Sequence, residues 1–268
     1  MQFKFIDGRI LTLWQLCLGV IVMYSTVVKN MFREIKQKQI ILENRKPYSP
    51  QIREYITELD MSDWICSSLR LDGGVLTKPQ IQKILKGELL IDVALSLHTL
   101  VEGHCNAYKY ANDLLEMSNS LSTKILLSFA RTLSGDENLS YRKTNPILVA
   151  LDYNPPHPAE IEEQMELLMI WFHSEDLDFN PVKKASILHN KIIEIYPFEA
   201  CSEAVARASM YYFLMQNGYH PFEITLSERE YNLAITEYLR KENFEPFYRA
   251  IEHDLFNKLE VLIQLTGS

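Results

Sequence analysis

The sequence predicts an all-α domain interrupted by one small β-hairpin, and three observations carry that reading. Apolar residues recur at helical spacing along most of the chain. Period-two alternation is confined to one short insert. Prolines open several of the helical runs, and Asn217-Gly218 closes one.

In chain order, Ile10 to Val28 is a run of 19 residues without a charge, apolar on every face. That length just suffices to cross a bilayer. Thr12, Gln15, Ser25 and Thr26 inside the run favour a buried helix instead, and no small-residue cleavage site follows that would mark a signal peptide. Two readings stay open: a packed apolar helix, or a membrane anchor through 10–28. As an anchor, Lys29, Arg33, Lys36 and Lys38 would hold the following chain in the cytoplasm. A cytoplasmic main domain is expected either way. Met31 to Leu59 reads as charged and helical, broken by Pro47 and Pro50, which divides the chain into an N-terminal part, 1–47, and a helical domain, 48–268.

Further helices are expected at Lys78 to Leu85, Ile91 to Met117, Thr123 to Leu133, Ile161 to Phe172, Pro181 to Ile195, Glu199 or Ala200 to Gln216, Ser227 to Lys241 and Glu245 to Leu265. Between Gly135 and Pro158, Ile147, Val149 and Leu151 alternate between turn formers, as a hairpin would.

Composition narrows the function classes. With 47% hydrophobic and 23% charged residues over 268 positions, the chain is globular rather than disordered. A formal charge of −8 and the lack of a basic stripe argue against nucleic-acid binding. Cys17, Cys66, Cys105 and Cys201 form no CxxC pair, so neither a zinc site nor a disulfide framework is expected. His104 and Cys105 lack the spacing to share a metal.

Chemistry concentrates at Ile195-Tyr196-Pro197-Phe198-Glu199-Ala200-Cys201-Ser202-Glu203-Ala204-Val205-Ala206-Arg207. This stretch resembles the HPFx(D/E)GNGRxxR motif of the Fic family of nucleotidyl (AMP) transferases, retaining Pro197, Phe198 and Arg207. Supporting landmarks are Ser140-Tyr141-Arg142-Lys143-Thr144 and Tyr153-Asn154-Pro155-Pro156 around a flap at about 138–154, and Leu188-His189-Asn190 ahead of the motif. The likeness covers roughly Trp64 to Leu255. It implies an all-α Fic-like fold with a hairpin flap.

The resemblance also defines what has been replaced. Tyr196 stands where the family's histidine accepts the target hydroxyl's proton. A phenol of ordinary pKa near 10 stays protonated at neutral pH and is no base. His189, seven residues earlier on the same helix, is about 10 Å too far and reads as a packed polar residue. Ala200 stands where the family holds Mg²⁺ through a carboxylate, so no metal ligand is expected there. Cys201, Ser202 and Glu203 fill a phosphate-cradling glycine loop, and Ala204 replaces an arginine. If a nucleotide still binds, Arg207 and Ser202 are the residues to hold it.

Upstream, Cys66 to Thr77 resembles the family's inhibitory helix, (S/T)xxxE(G/N), with Ser68 and Gly73 in place and Asp72 for the acid; Ser68, Asp72 and Arg207 are then the implied inhibitory set. Asp is one methylene shorter than Glu, which puts a direct contact in question. Cys201, at a helix start, has no partner acid or base and is expected to be an inert thiol. His220-Pro221-Phe222 repeats the letters HPF without the rest of the motif and is read as a loop.

The expected function is therefore a degenerate Fic domain lacking AMP transfer, a signalling or regulatory binding module that needs no cofactor and docks a protein segment along the flap at Tyr141, Ile147 and Val149. The alternative is an active transferase using ATP and Mg²⁺, autoinhibited by the helix at 67–73. The absence of a C-terminal winged helix adds to the expectation of no direct DNA regulation.

Overall fold

The computed structural model describes residues 4–6, 9–11, 31–174 and 179–267. A helical array forms one continuous core in which Trp64, Phe129, Phe198, Tyr211 and Phe247 are almost fully buried. Two short antiparallel strands, β1 (Lys4–Ile6) and β2 (Arg9–Leu11), pair Lys4 with Leu11 at the N-terminus. Ile10 and Leu11 thus belong to a strand, where a helix was expected to begin. Positions 12–28 of the expected apolar helix lie outside the described residues. Among the described residues, no helix is long and apolar enough to cross a membrane.

Helix α1, residues 31–44, packs on the core through Ile35 and Leu42. Lys38 pairs with Glu260 at 2.6 Å, and Arg45 just beyond the helix donates to Thr266 at 2.9 Å. Helix α2 (Pro50–Leu71) starts on Ser49, whose hydroxyl accepts from Ile52 N–H, with Pro50 in the first turn where a missing N–H costs nothing. Its second half, from Trp64 through Leu69, is buried on every side, which makes it the central helix. It stops because Gly73 adopts φ +77°, letting Gly74 N–H reach Leu69 C=O at 2.7 Å. Asp72 sits at that terminus.

Helices α3 (Lys78–Leu85), α4 (Leu95–Glu116) and α5 (Thr123–Ser134) follow. Helix α4 begins four residues later than expected, because Ala94 is extended and Leu90 to Val93 form a turn. Helices α4 and α5 approach closely at Gly103, where a Cβ would lie 2.7 Å from Leu133 C=O.

The expected hairpin over 147–151 is not a ladder. Leu148 and Tyr153 make a single antiparallel bridge around a 3₁₀ turn, Val149–Leu151, closed by Asp152 at φ +47°. With only four residues between the bridged pair, the turn consumes the alternating stretch and leaves none to extend pairing. Helices α6 (Ile161–His173), α7 (Pro181–Ile195), α8 (Ser202–Gln216), α9 (Glu228–Lys241) and α10 (Glu245–Thr266) complete the array. Helices α7 and α8 form its most intimate pair, with Ala204, Val205, Ala208 and Ser209 buried.

Because Leu133 C=O is rigid backbone, Gly103→Ala forces α4 and α5 apart. It should lower unfolding stability by about 1–3 kcal/mol, read as a reduced midpoint in urea titration of the purified protein.

Candidate functional site

The site is built around the turn between α7 and α8. Helix α7 ends at Tyr196, held left-handed at φ +48°, and Pro197 prevents the helix from continuing. Helix α8 begins at Ser202, two or three residues later than expected. The cause is local: the Ser202 hydroxyl accepts from Phe198 N–H at 2.7 Å and donates to Phe198 C=O at 2.6 Å, closing residues 198–202 into a turn. Ser202 is fully buried with both bonds spent on this closure, so its hydroxyl is not presented to a ligand.

The turn is fastened from the flap side by Arg142. Its backbone N–H donates to Pro197 C=O at 2.9 Å, and its guanidinium reaches the carbonyls of Tyr196 (2.7 Å), Thr144 (2.8 Å) and Pro156 (2.5 Å). Three backbone segments are thereby tied to one buried residue. Sequence reading singled out Arg142 only as a landmark of resemblance; a cation that bonds carbonyls leaves no charge partner to find in the sequence. Tyr141 is half-buried, its ring 5.7 Å from Phe198, while Ile147 and Val149 are 74% and 83% exposed.

On the other side, the C-terminus of α2 meets α8. Arg207 is fully buried. Its Nη2 donates to Asp72 Oδ1 at 2.5 Å and its Nε to Ser68 Oγ at 3.2 Å, while Nη1 has no hydrogen-bond partner among the described residues. Ser68 and Asp72 lie four apart on α2 and so share a face. The shorter side chain of Asp72 reaches the guanidinium without difficulty. Burial alone would raise the Asp72 pKa, but the Arg207 charge, helped by His104 at 3.9 Å, outweighs it and holds the carboxyl below the usual range.

A cavity of about 330 Å³ opens beside this pair, walled by Tyr196, Ala200, Cys201, Asp72, Glu203 and, from α9, Glu228 and Asn232. Three carboxylates line it and no Lys or Arg does. Burial pushes Glu203 upward, against the pull of Arg207, and Asp72 and Glu228 add to the rise. Burial likewise raises the Tyr196 phenol to about 12, with the charges of Glu203 and Asp72 contributing. Cys201 is raised to about 12, again chiefly by burial, and is an unreactive thiol. His189 donates or accepts at 2.7 Å with Tyr231 and stacks 4.2 Å from Phe247; burial drops its pKa to about 3, leaving it a neutral core residue. Glu228 and Asn232 were not anticipated, because at the start of α9 they read as ordinary helix-cap chemistry.

The geometry now stands beside known proteins. Residues 120–214 match the family described as Fic/DOC. The chain carries a Fic domain. A protein adenylyltransferase Fic from Nematostella vectensis is 28% identical over 197 residues, covering 70% of this chain and 45% of that protein. The one from Drosophila erecta is 26% identical over 209 residues, covering 76% and 42%. The chain therefore spans less than half the length of these curated relatives. Among solved structures, Fic-1 (aa134 - 508) from C. elegans superposes with a TM-score of 0.78 at 20% identity, covering 94% of this chain and 76% of that one. A Fic domain containing signaling protein from Bacteroides thetaiotaomicron gives 0.74 at 19% identity, covering 87% and 97%. These likenesses establish the all-α Fic fold.

A nucleotide with Mg²⁺ fits this Fic domain poorly. Ala200 offers a methyl where a hard cation needs oxygen, and among the described residues no group of three or more His, Cys, Asp or Glu is arranged to hold a metal. Polyphosphate would face carboxylates, with the nearest guanidinium already engaged.

Asp72→Asn removes the charge opposite Arg207. It should cost about 1–3 kcal/mol at neutral pH. Because the folded-state pKa of Asp72 is depressed, its contribution is present above the unfolded carboxylate range of about 4 and disappears as pH falls through the lower folded value. Denaturant unfolding of both proteins should show the gap at pH 7 narrowing in acid.

Proposed function

We propose that this Fic domain does not transfer AMP and acts as a regulatory binding module, engaging a protein partner along the exposed Ile147 and Val149 edge of the flap. One observation carries the reading: the cavity at the motif is lined by Asp72, Glu203 and Glu228 with no cation, so its potential repels the phosphates that a nucleotidyl transferase must gather. The chemistry agrees. A phenol raised to about 12 at position 196 has no capacity to take a proton from an attacking hydroxyl near neutral pH. Loss of a general base alone commonly costs about 10²-fold to 10⁴-fold in rate. Two apolar side chains 74% and 83% exposed at the tip of a turn are a suitable anchor for a docked segment.

A second reading has one observation in its favour. The Asp72–Arg207 contact at 2.5 Å, with Ser68 on the same guanidinium, is the arrangement that the family resemblance assigns to an autoinhibited enzyme. Releasing Arg207 would then permit ATP and Mg²⁺ to bind and a protein hydroxyl to be modified.

The two readings separate in one calorimetric and mass-spectrometric comparison. Wild type and Asp72→Ala are titrated with ATP, with and without Mg²⁺, and incubated with the same nucleotide to look for a covalent AMP mass on the chain or on an added protein. No added mass in either protein, and no saturable heat that depends on Mg²⁺ or differs between the two proteins, is the expected result. Mass added by Asp72→Ala but not by wild type would establish the autoinhibited enzyme.

A further inference from the structure

A second cavity, about 530 Å³ in volume, shares no lining residue with the one beside the motif. It lies between the α1–α2 connector, the first half of α2, the face of α4 near Tyr108, and the loop after α8 that carries His220 and Pro221. The first two residues of the repeated HPF letters, His220 and Pro221, thus fall at a cavity wall. Its size is that of a small-molecule site.

The polar groups in it are arranged, not incidental. His220 Nδ1 is 2.7 Å from Asp60 Oδ2, a carboxylate 8% exposed. The other Asp60 oxygen lies 2.8 Å from Lys258 Nζ, which is also 2.8 Å from Asp63. With Lys258 beside it, Asp60 is the acceptor for Nδ1–H and fixes the imidazole with Nε2 left over. Among the described residues Nε2 has no hydrogen-bond partner. Tyr219, 2% exposed, lines the same cavity, and its buried hydroxyl has no hydrogen-bond partner among the described residues. Such an orphan costs about 1–3 kcal/mol unless something meets it. Burial raises this phenol to about 12, which keeps it a donor.

Around these lie apolar and aromatic walls, Tyr48 and Tyr108 among them, and a cationic rim. Lys46 shares its ammonium with Glu43 at 2.7 Å, whereas Arg53 has no carboxylate partner among the described residues. In a chain of net charge −8, two exposed cations at the rim of an aromatic cavity point to an anionic group on whatever enters.

We infer that this cavity is a second ligand site, taking a flat heteroaromatic ring with an N–H donor for His220 Nε2 and an acceptor for the Tyr219 hydroxyl, joined to an anionic group that Arg53 and Lys46 meet. A nucleoside monophosphate is the simplest molecule combining these features. The site does not depend on the motif or on the binding-module reading.

The test is calorimetric titration of the full chain, without Mg²⁺, with AMP and CMP. Adenosine and cytidine serve as ring-only probes and ribose 5-phosphate as the anion-only probe. At least one monophosphate should bind saturably, with the ring-only and anion-only probes weaker by about tenfold or more. Tyr219→Phe, which removes one oxygen, and His220→Asn, which keeps a donor toward Asp60 but lacks Nε2, should each weaken binding about tenfold. Asn232→Ala, in the wall of the motif cavity, should leave it unchanged. Arg53→Gln, on the surface, provides a variant whose folding is not at risk and should also weaken binding. No saturable heat with either monophosphate at about 10 mM would overturn the inference. So would binding that Asn232→Ala weakens while Tyr219→Phe, His220→Asn and Arg53→Gln leave it intact, or ribose 5-phosphate binding as tightly as the nucleotides.

Discussion

A guanidinium with none of its surface in water sets the terms for the rest of this fold. Arg207 must be charged, since nothing in a protein deprotonates it, and an unpaired charge at full burial is untenable. Asp72 supplies the counter-charge from the last turn of α2, and Ser68 one turn earlier accepts the remaining Nε–H. For both to arrive, α2 must lie against α8 and stop at Asp72. Gly73 in the left-handed region enforces that stop. The buried second half of α2, from Trp64 onward, is the apolar surface that this placement covers. Electrostatic matching and hydrophobic burial therefore select the same helix arrangement, which is the local and global consistency expected of a well-specified fold.

Arg142 is the counterpart on the flap side and works by a different principle. It makes no salt bridge among the described residues; it bonds carbonyls, and through them joins the flap, the segment after Pro155 and the α7–α8 turn. A charge met chiefly by backbone dipoles, with the Asn145 amide oxygen beside them, fixes shape without adding reactivity. Ser202 does the same on a smaller scale by spending its hydroxyl on Phe198. Side chains thus occupy the turn in which a glycine-rich version would display free N–H groups, and this turn is closed by its own residues.

What could be read from the sequence follows from how local each determinant is. Helices α3, α6, α7, α9 and α10 were legible because their caps and periodicity lie within a few residues of one another; the Ser227 hydroxyl and Glu230 carboxylate, for example, form a capping box. The flap misled because Ile147, Val149 and Leu151 satisfy both a strand period and a 3₁₀ turn, and only the Asp152 backbone decides between them. Ser68, Asp72 and Arg207 could be grouped only through family resemblance, since 135 residues separate the last two. The Asp60–His220 contact spans 160 residues and had no such guide. The acidic lining of the motif cavity was half legible: Glu203 was suspect from its place in the loop, but Glu228 comes from a helix whose own sequence explains an acid there.

The retention of Arg207 is weak support for catalysis, and the reason is energetic. Once a guanidinium and a carboxylate are buried against each other, removing either leaves a charge that the interior cannot solvate, at a cost of several kcal/mol in fully buried cases. Such a pair is kept for stability whether or not a nucleotide ever binds. Tyr196 and Ala200 carry no such constraint. Position 196 caps a helix in a left-handed conformation, where nothing requires a phenol, and Ala200 is exposed. A histidine and an acid would fit these places without disturbing the core, so their absence is the more telling fact. The presence of Arg207 therefore reports on how α2 and α8 are held together, and by itself carries no information on whether a nucleotide binds.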